Sequence, residues 1–165
     1  MTRWLDDDEQ RVWRAYLAVN RKLPEAIARR TQESGLPGGY YIIMAMLSEA
    51  PGRQLRMSDL AEMVSSSPSR ISHAVDRLDE RGWVRREKSP TDRRGNMAVL
   101  TDEGMRIVRE AAPRHVQAVR ESLFDLLTRE QLAVLDEVFT TVNERLDARA
   151  PKGRGPTGAL PDGTC

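Results

Sequence analysis

SSSPSRISHAVDRLDERG, residues 65–82, is the stretch on which the rest of the chain depends. Three serines followed by proline make a helix start: Ser67 can accept from the free amides of the first turn as N-cap, and Pro68 fits the first helical position. At about 100° per residue, Ile71, Ala74, Val75 and Leu78 gather on one side of the helix. Ser69, Ser72, His73 and Asp76 gather on the other, flanked by Arg70 and Arg77. Gly82 supplies the stop. The apolar side suits a core; the polar side, small near its start and edged by two guanidinium groups, suits a DNA major groove. An ordinary amphipathic surface helix has the same periodicity, so the flanking sequence must decide.

Upstream, RMSDLAEMV (56–64) predicts a short helix with Ser58 as N-cap, Asp59 in the first turn, and Leu60, Ala61 and Val64 as its apolar stripe. The short linker to Pro68 has the length of the turn in a helix-turn-helix. Downstream, Trp83 to Lys88 and Asn96 to Leu100 predict two strands around SPTDRRG, a loop of turn residues and arginines. Helix, turn, helix and hairpin together make a winged helix-turn-helix.

The run from Leu60 to Gly104 resembles the MarR family of bacterial transcriptional regulators, through LAEMV, SPSRISHAVDRLDERGWVRR and DRRGNMAVLTDEG. Asp92-Arg93-Arg94 followed by Leu100-Thr101 and Gly104 is the most specific part, and the likeness extends more weakly over residues 5 to 148. The resemblance implies a homodimer whose recognition helices enter consecutive major grooves and whose wings reach adjacent minor grooves. It also implies that Arg94 enters the minor groove, with Arg93 beside it as a DNA contact, and that Asp92 pairs with an arginine to hold the loop.

A length of 165 residues suits one domain, and 31% charged with 5% aromatic residues suits a helical protein completed by a partner subunit. The net charge is only +1, so the case for nucleic acid rests on local distribution: from Arg70 to Arg94 there are eight basic and five acidic side chains. No apolar run is long enough for a membrane span, and MTRWLDDDEQ has the wrong charge order for a signal peptide. The expectation is a cytoplasmic, nucleoid-associated protein with no membrane partner. The single cysteine, Cys165, offers neither a disulfide framework nor a metal pair.

The expected fold is mainly α with a small β-hairpin wing: a winged helix-turn-helix domain plus a helical dimerisation region built from the N- and C-terminal helices. Residues 1–34 form an N-terminal dimerisation helix with acids at its start, Val12, Trp13, Tyr16, Leu17, Leu23 and Ile27 on one face, and Pro24 inside it. Residues 37–104 form the DNA-binding domain, with a central apolar helix from Tyr40, a recognition helix at about 68–81 and a wing at about 83–100. QLR (54–56) is a candidate third strand against the wing. Residues 102–148 hold two further dimerisation helices: one capped by Thr101 and bent at Pro113, the other starting at about Arg129 behind a Thr128–Gln131 capping box. Their apolar faces exceed what the winged domain can cover, which supports a C2 homodimer. Residues 150–165, rich in glycine and proline, are expected to be a disordered tail.

On the recognition helix, Arg70 and Arg77 could each bind guanine O6 and N7 or neutralise phosphate, and His73 could donate to a base edge. Ser67 and Ser69 with the free amides suit a phosphate oxygen, and Ser72 completes the reading face. The double-stranded DNA partner is then a pseudo-palindromic operator, and repression is the expected outcome. The alternative is a winged-helix protein-interaction module without DNA binding. By resemblance, a small-molecule effector would lie between the dimerisation helices and the winged domain, near Trp13, Tyr16, Tyr40, Met44 and His115. Trp13 and Tyr16 suit dimer packing equally well. No cofactor, metal site or catalytic constellation is expected: His73 and His115 have no partner at ligand spacing, and no phosphate loop is present.

Overall fold

The computed structural model describes residues 2–32, 36–88 and 95–148. Within them the chain runs α1 (Asp7–Gln32), α2 (Gly38–Glu49), β1 (Gln54–Arg56), α3 (Met57–Met63), α4 (Pro68–Glu80), β2 (Val84–Lys88), β3 (Asn96–Leu100), α5 (Asp102–Ser122) and α6 (Arg129–Asp147). This is the expected mainly helical fold with a small sheet. The strands order β1-β3-β2, all antiparallel, so QLR joins the wing as its third strand, with Leu55 opposite Ala98 and Arg86 opposite Ala98 on the other edge.

One core serves α2, α3, α4, the sheet and the first half of α5. Met44 and Leu47 of α2, Leu60 of α3, Val75 and Leu78 of α4, and Val84 and Ala98 of the sheet are fully buried in it. The apolar side of α4 predicted from its period, Ile71, Val75 and Leu78, faces that core. Burying three such side chains contributes on the order of 5 kcal/mol, which holds that side of the helix against the core.

Two helix ends use the same hydrogen bonds. At the end of α3, Ser65 N–H donates to Glu62 O (2.9 Å) and Ser66 N–H to Ala61 O (2.9 Å). At the end of α4, Gly82 N–H donates to Asp79 O (2.8 Å) and Trp83 N–H to Leu78 O (3.0 Å). Both are Schellman turns, which need a left-handed residue: Gly82 at φ 71° in one, Ser65 at φ 49° in the other. The first reverses the chain between the two helices of the helix-turn-helix; the second launches the wing.

Thr101 and Gly104 join the wing to α5. The Thr101 hydroxyl accepts from Gly104 N–H (3.0 Å) and lies 2.7 and 3.0 Å from the carbonyl oxygens of Gly82 and Trp83. A Cβ on Gly104 would stand 2.1 Å from Trp83 O, so only glycine lets the first turn of α5 approach the wing root. This accounts physically for the Leu100-Thr101 and Gly104 pattern.

Three local expectations are corrected. Ser58 is not the N-cap of α3: β1 runs straight into the helix through extended Arg56 (φ −64°, ψ 144°), and the Ser58 hydroxyl donates to Asp59 instead. Helix α5 ends at Ser122, because Leu123 (φ −139°, ψ −66°) leaves the helical region before a short 3-10 turn at Phe124–Leu126. The periodicity of residues 101–127 predicts an apolar stripe through Met105, Val108, Ala112, Val116, Val119 and Leu123, but the buried residues are Gly104, Val108, Ala111 and Ala118, and Val116 is exposed. Helix α1 lies along α5, where Arg30 and Glu121 form an ion pair. Helix α6 begins as expected, with both hydrogen bonds of the Thr128–Gln131 capping box present.

Candidate nucleic-acid interface

The polar side of α4 lies on the surface. Ser67 is its N-cap (φ −72°, ψ 147°), accepting from Arg70 N–H at 3.3 Å, with the Ser69 hydroxyl 3.4 Å away. Ser69, Arg70, His73 and Arg77 are all exposed. Arg77 has only a long contact to Glu80 (3.9 Å), which screening makes weak. The helix therefore presents two exposed guanidinium groups, an imidazole and two hydroxyls, beside a helix N-terminus whose first amides favour anions.

Ser72 differs from its neighbours. Its hydroxyl receives a 2.7 Å hydrogen bond from Arg86 Nη2, and Asp76, one turn later, pairs with Arg86 Nη1 at 3.1 Å. Arg86 sits on β2 and is the residue that sequence reasoning passed over. Strand alternation, which puts Arg86 on the same side as buried Val84, is the signal that points it towards α4.

Near the site, Arg81 stacks over Trp83 (5.0 Å) and Tyr40 (5.8 Å), tying the end of α4 to α2. Arg53, in the turn before β1, is ion-paired to Asp102 at 2.9 Å. Asp92, Arg93 and Arg94 at the wing tip, and the tail from Ala150, lie outside the described residues.

A family model described as the MarR family matches residues 34–95, which contain β1, the helix-turn-helix and β2. A crystal structure of Sco3205, a MarR family transcriptional regulator from Streptomyces coelicolor in complex with DNA, is 44% identical. It aligns with a TM-score of 0.79 over 95% of this chain and 98% of that one. The chain belongs to the MarR family. Similarity of the same order is found to AbsC, another MarR family regulator from Streptomyces coelicolor: 43% identity, 90% of this chain, 100% of that chain and a TM-score of 0.76. The transcriptional repressor MprA of Escherichia coli K12 is 24% identical over 140 residues, 85% of this chain and 79% of its own length.

The five residues expected around a MarR-type effector do not converge among the described residues. Trp13 and Tyr16 stack on each other (5.5 Å) on an exposed face of α1; Met44 is wholly buried in the winged core; Tyr40 faces Arg81. His115 sits where α1, α2 and α5 meet, its Nδ1 3.3 Å from buried Thr31 Oγ1 and its ring 4.2 Å from that of Tyr41. Burial holds its pKa below the ordinary imidazole value. A cleft of about 330 Å³ lies elsewhere, lined by Trp4, Leu5, Gln10, Trp13 and Arg14 near the start of α1. No described helix is long and apolar enough to cross a membrane, and no cluster of metal-ligating side chains occurs among the described residues.

Proposed function

We propose that this MarR-family chain is a sequence-specific, double-stranded DNA-binding transcriptional repressor that works at the nucleoid, in the cytoplasm. It acts as a homodimer on a pseudo-palindromic operator with half-sites about one helical turn apart. The observation that carries this reading is the orientation of α4. Its apolar side is locked in the core by Ile71, Val75 and Leu78, while Ser69, Arg70, His73 and Arg77 stand clear on the surface. The DNA-bound state of the 44% identical Streptomyces regulator supports it. Ser67 and the first amides of α4 take phosphate, Arg70, His73 and Arg77 face base edges, and Arg93 and Arg94 take the adjacent minor groove. The homodimer accounts for the exposed apolar faces of α1 and α6.

Fluorescence anisotropy on the intergenic DNA beside its own coding region tests the reading, with an expected Kd of about 10 nM or tighter at physiological salt. Arg70→Ala is expected to weaken operator binding by about 1–3 kcal/mol and to relax one operator position. Equal weakening on every duplex assigns Arg70 to phosphate, and a wild-type protein with no sequence preference defeats the reading.

A further inference from the structure

We propose that Arg86 is the positioning residue of the DNA-reading surface: from the wing strand it grips one edge of α4 and sets the rotation of the reading face. The inference rests on the assignment of α4 as the DNA reader.

Ser72 and Asp76 are four residues apart on α4, hence neighbours on one edge of the helix. The planar guanidinium of Arg86 spans them, with Nη2 on the Ser72 hydroxyl at 2.7 Å and Nη1 on the Asp76 carboxylate at 3.1 Å. Nη2 also lies 3.5 Å from Ser72 O, while Nε is buried. Side-chain exposure is 30% for Arg86 and 47% for Asp76, so this pair is more sheltered than the Arg77–Glu80 contact, at 70% and 67%. Its fork geometry gives it direction, which a point charge lacks.

At about 100° per residue, Ile71, Val75 and Leu78 hold the back of α4, and Ser72 and Asp76 form the rim of the front beside Ser69, His73 and Arg77. A rotation of about 10° moves an atom 6 Å from the axis by about 1 Å, enough to break a base-edge hydrogen bond. Arg86 stops that rotation from the front edge. It also neutralises Asp76, whose carboxylate would otherwise face phosphate from the rim of the reader. Ser72 accordingly serves as the anchor of this grip and does not read a base.

The test measures wild type, Arg86→Met, Arg86→Lys, Ser72→Ala, Arg86→Met/Ser72→Ala and Arg86→Met/Asp76→Asn on the operator and on a scrambled duplex across a salt series. Arg86→Met is expected to lower operator affinity roughly tenfold or more, as for loss of hydrogen bonds to a charged group. Binding to the scrambled duplex changes much less, and the salt slope stays the same. Ser72→Ala weakens operator binding but adds nothing on top of Arg86→Met; Asp76→Asn recovers part of the Arg86→Met loss; lysine does not restore wild-type affinity. A salt slope shallower by about one overturns the proposal in favour of a phosphate contact. Additive Ser72 and Arg86 effects with one relaxed operator position overturn it in favour of base reading by Ser72.

A wild-type protein without sequence preference removes the repressor reading instead. The grip itself is then decided by hydrogen exchange of the α4 amides. Faster exchange in Arg86→Met, with Ser72→Ala non-additive to it, supports the grip, and additive or unchanged exchange overturns it. If Arg86→Met does not fold, Ser72→Ala and Asp76→Asn against their double variant give the same decision.

Discussion

Helices α4 and α6 both carry apolar residues at spacings of three and four, yet the chain treats them in opposite ways. Helix α4 buries Ile71, Val75 and Leu78, whereas α6 buries nothing and leaves Val134, Val138, Phe139, Val142 and Leu146 between 48% and 61% exposed. Helix α1 follows α6, with Val12, Trp13, Tyr16 and Leu17 at 47% or more. Equal patterns therefore have unequal partners: the stripe on α4 is satisfied within one chain, and those on α1 and α6 are left uncovered by it, to be covered by a second copy in the proposed dimer. The winged unit is a core; the arms are half of one.

The largest expected effect breaks that contrast from the arm side. Val142→Asp places a carboxylate in the proposed subunit seam, where an unpaired charge costs several kcal/mol. The mass measured by light scattering should halve, and operator binding should go with it. A variant that keeps its dimeric mass and affinity places the seam elsewhere. From the core side, Leu78→Ala is expected to lower unfolding stability by about 2–5 kcal/mol while leaving the dimeric mass unchanged, and chemical denaturation beside light scattering checks both halves of that statement.

The smallest expected effect lies between the two Schellman turns of the winged unit. Ser65→Gly relieves a left-handed side chain, and glycine's extra freedom in the unfolded chain offsets part of the gain, leaving roughly +0.5 kcal/mol. Gly82→Ala, with open space around the new Cβ, should instead cost about 1 kcal/mol from backbone conformation alone. Melting temperatures of the two variants should therefore move in opposite directions. If both fall, the Ser65 hydroxyl contributes more than its backbone strain removes.

Chemistry within a few residues was legible before any coordinates. Ser67 with Pro68, Thr101 with Asp102, and the Thr128–Gln131 box start their helices where the residue order predicted, because a cap is a contact between residues three apart. The wing strands follow for the same reason, since turn residues bracket them. The role of Ser72 was not legible: periodicity assigns a residue to a face, but its partner Arg86 is fourteen positions away on another element. Residue size also misled along α5, where the small Ala111 and Ala118 are buried and the larger Val116 is not, because Ala111 belongs to the winged core and Val116 faces away from it. The residues that the resemblance names for an effector lie on three helices: Trp13 and Tyr16 stack together on α1, Tyr40 and Met44 belong to α2 and its core, and His115 stands on α5.

The missing Cβ of Gly104 has a mechanical consequence. Because the first turn of α5 is seated directly on the backbone of Trp83, α5 is a rod whose displacement is expected to carry the wing root with it. That rod is 21 residues long, or about 31 Å, and its far half lies among the arms beside α1. Tilting it by about 10° about its far end carries the wing root some 5 Å sideways, the rise of one helical turn. A glycine at a backbone crossing thus gives α5 the geometry of a lever arm, and in the proposed dimer small changes of angle at the seam would become changes in the distance between the two reading heads.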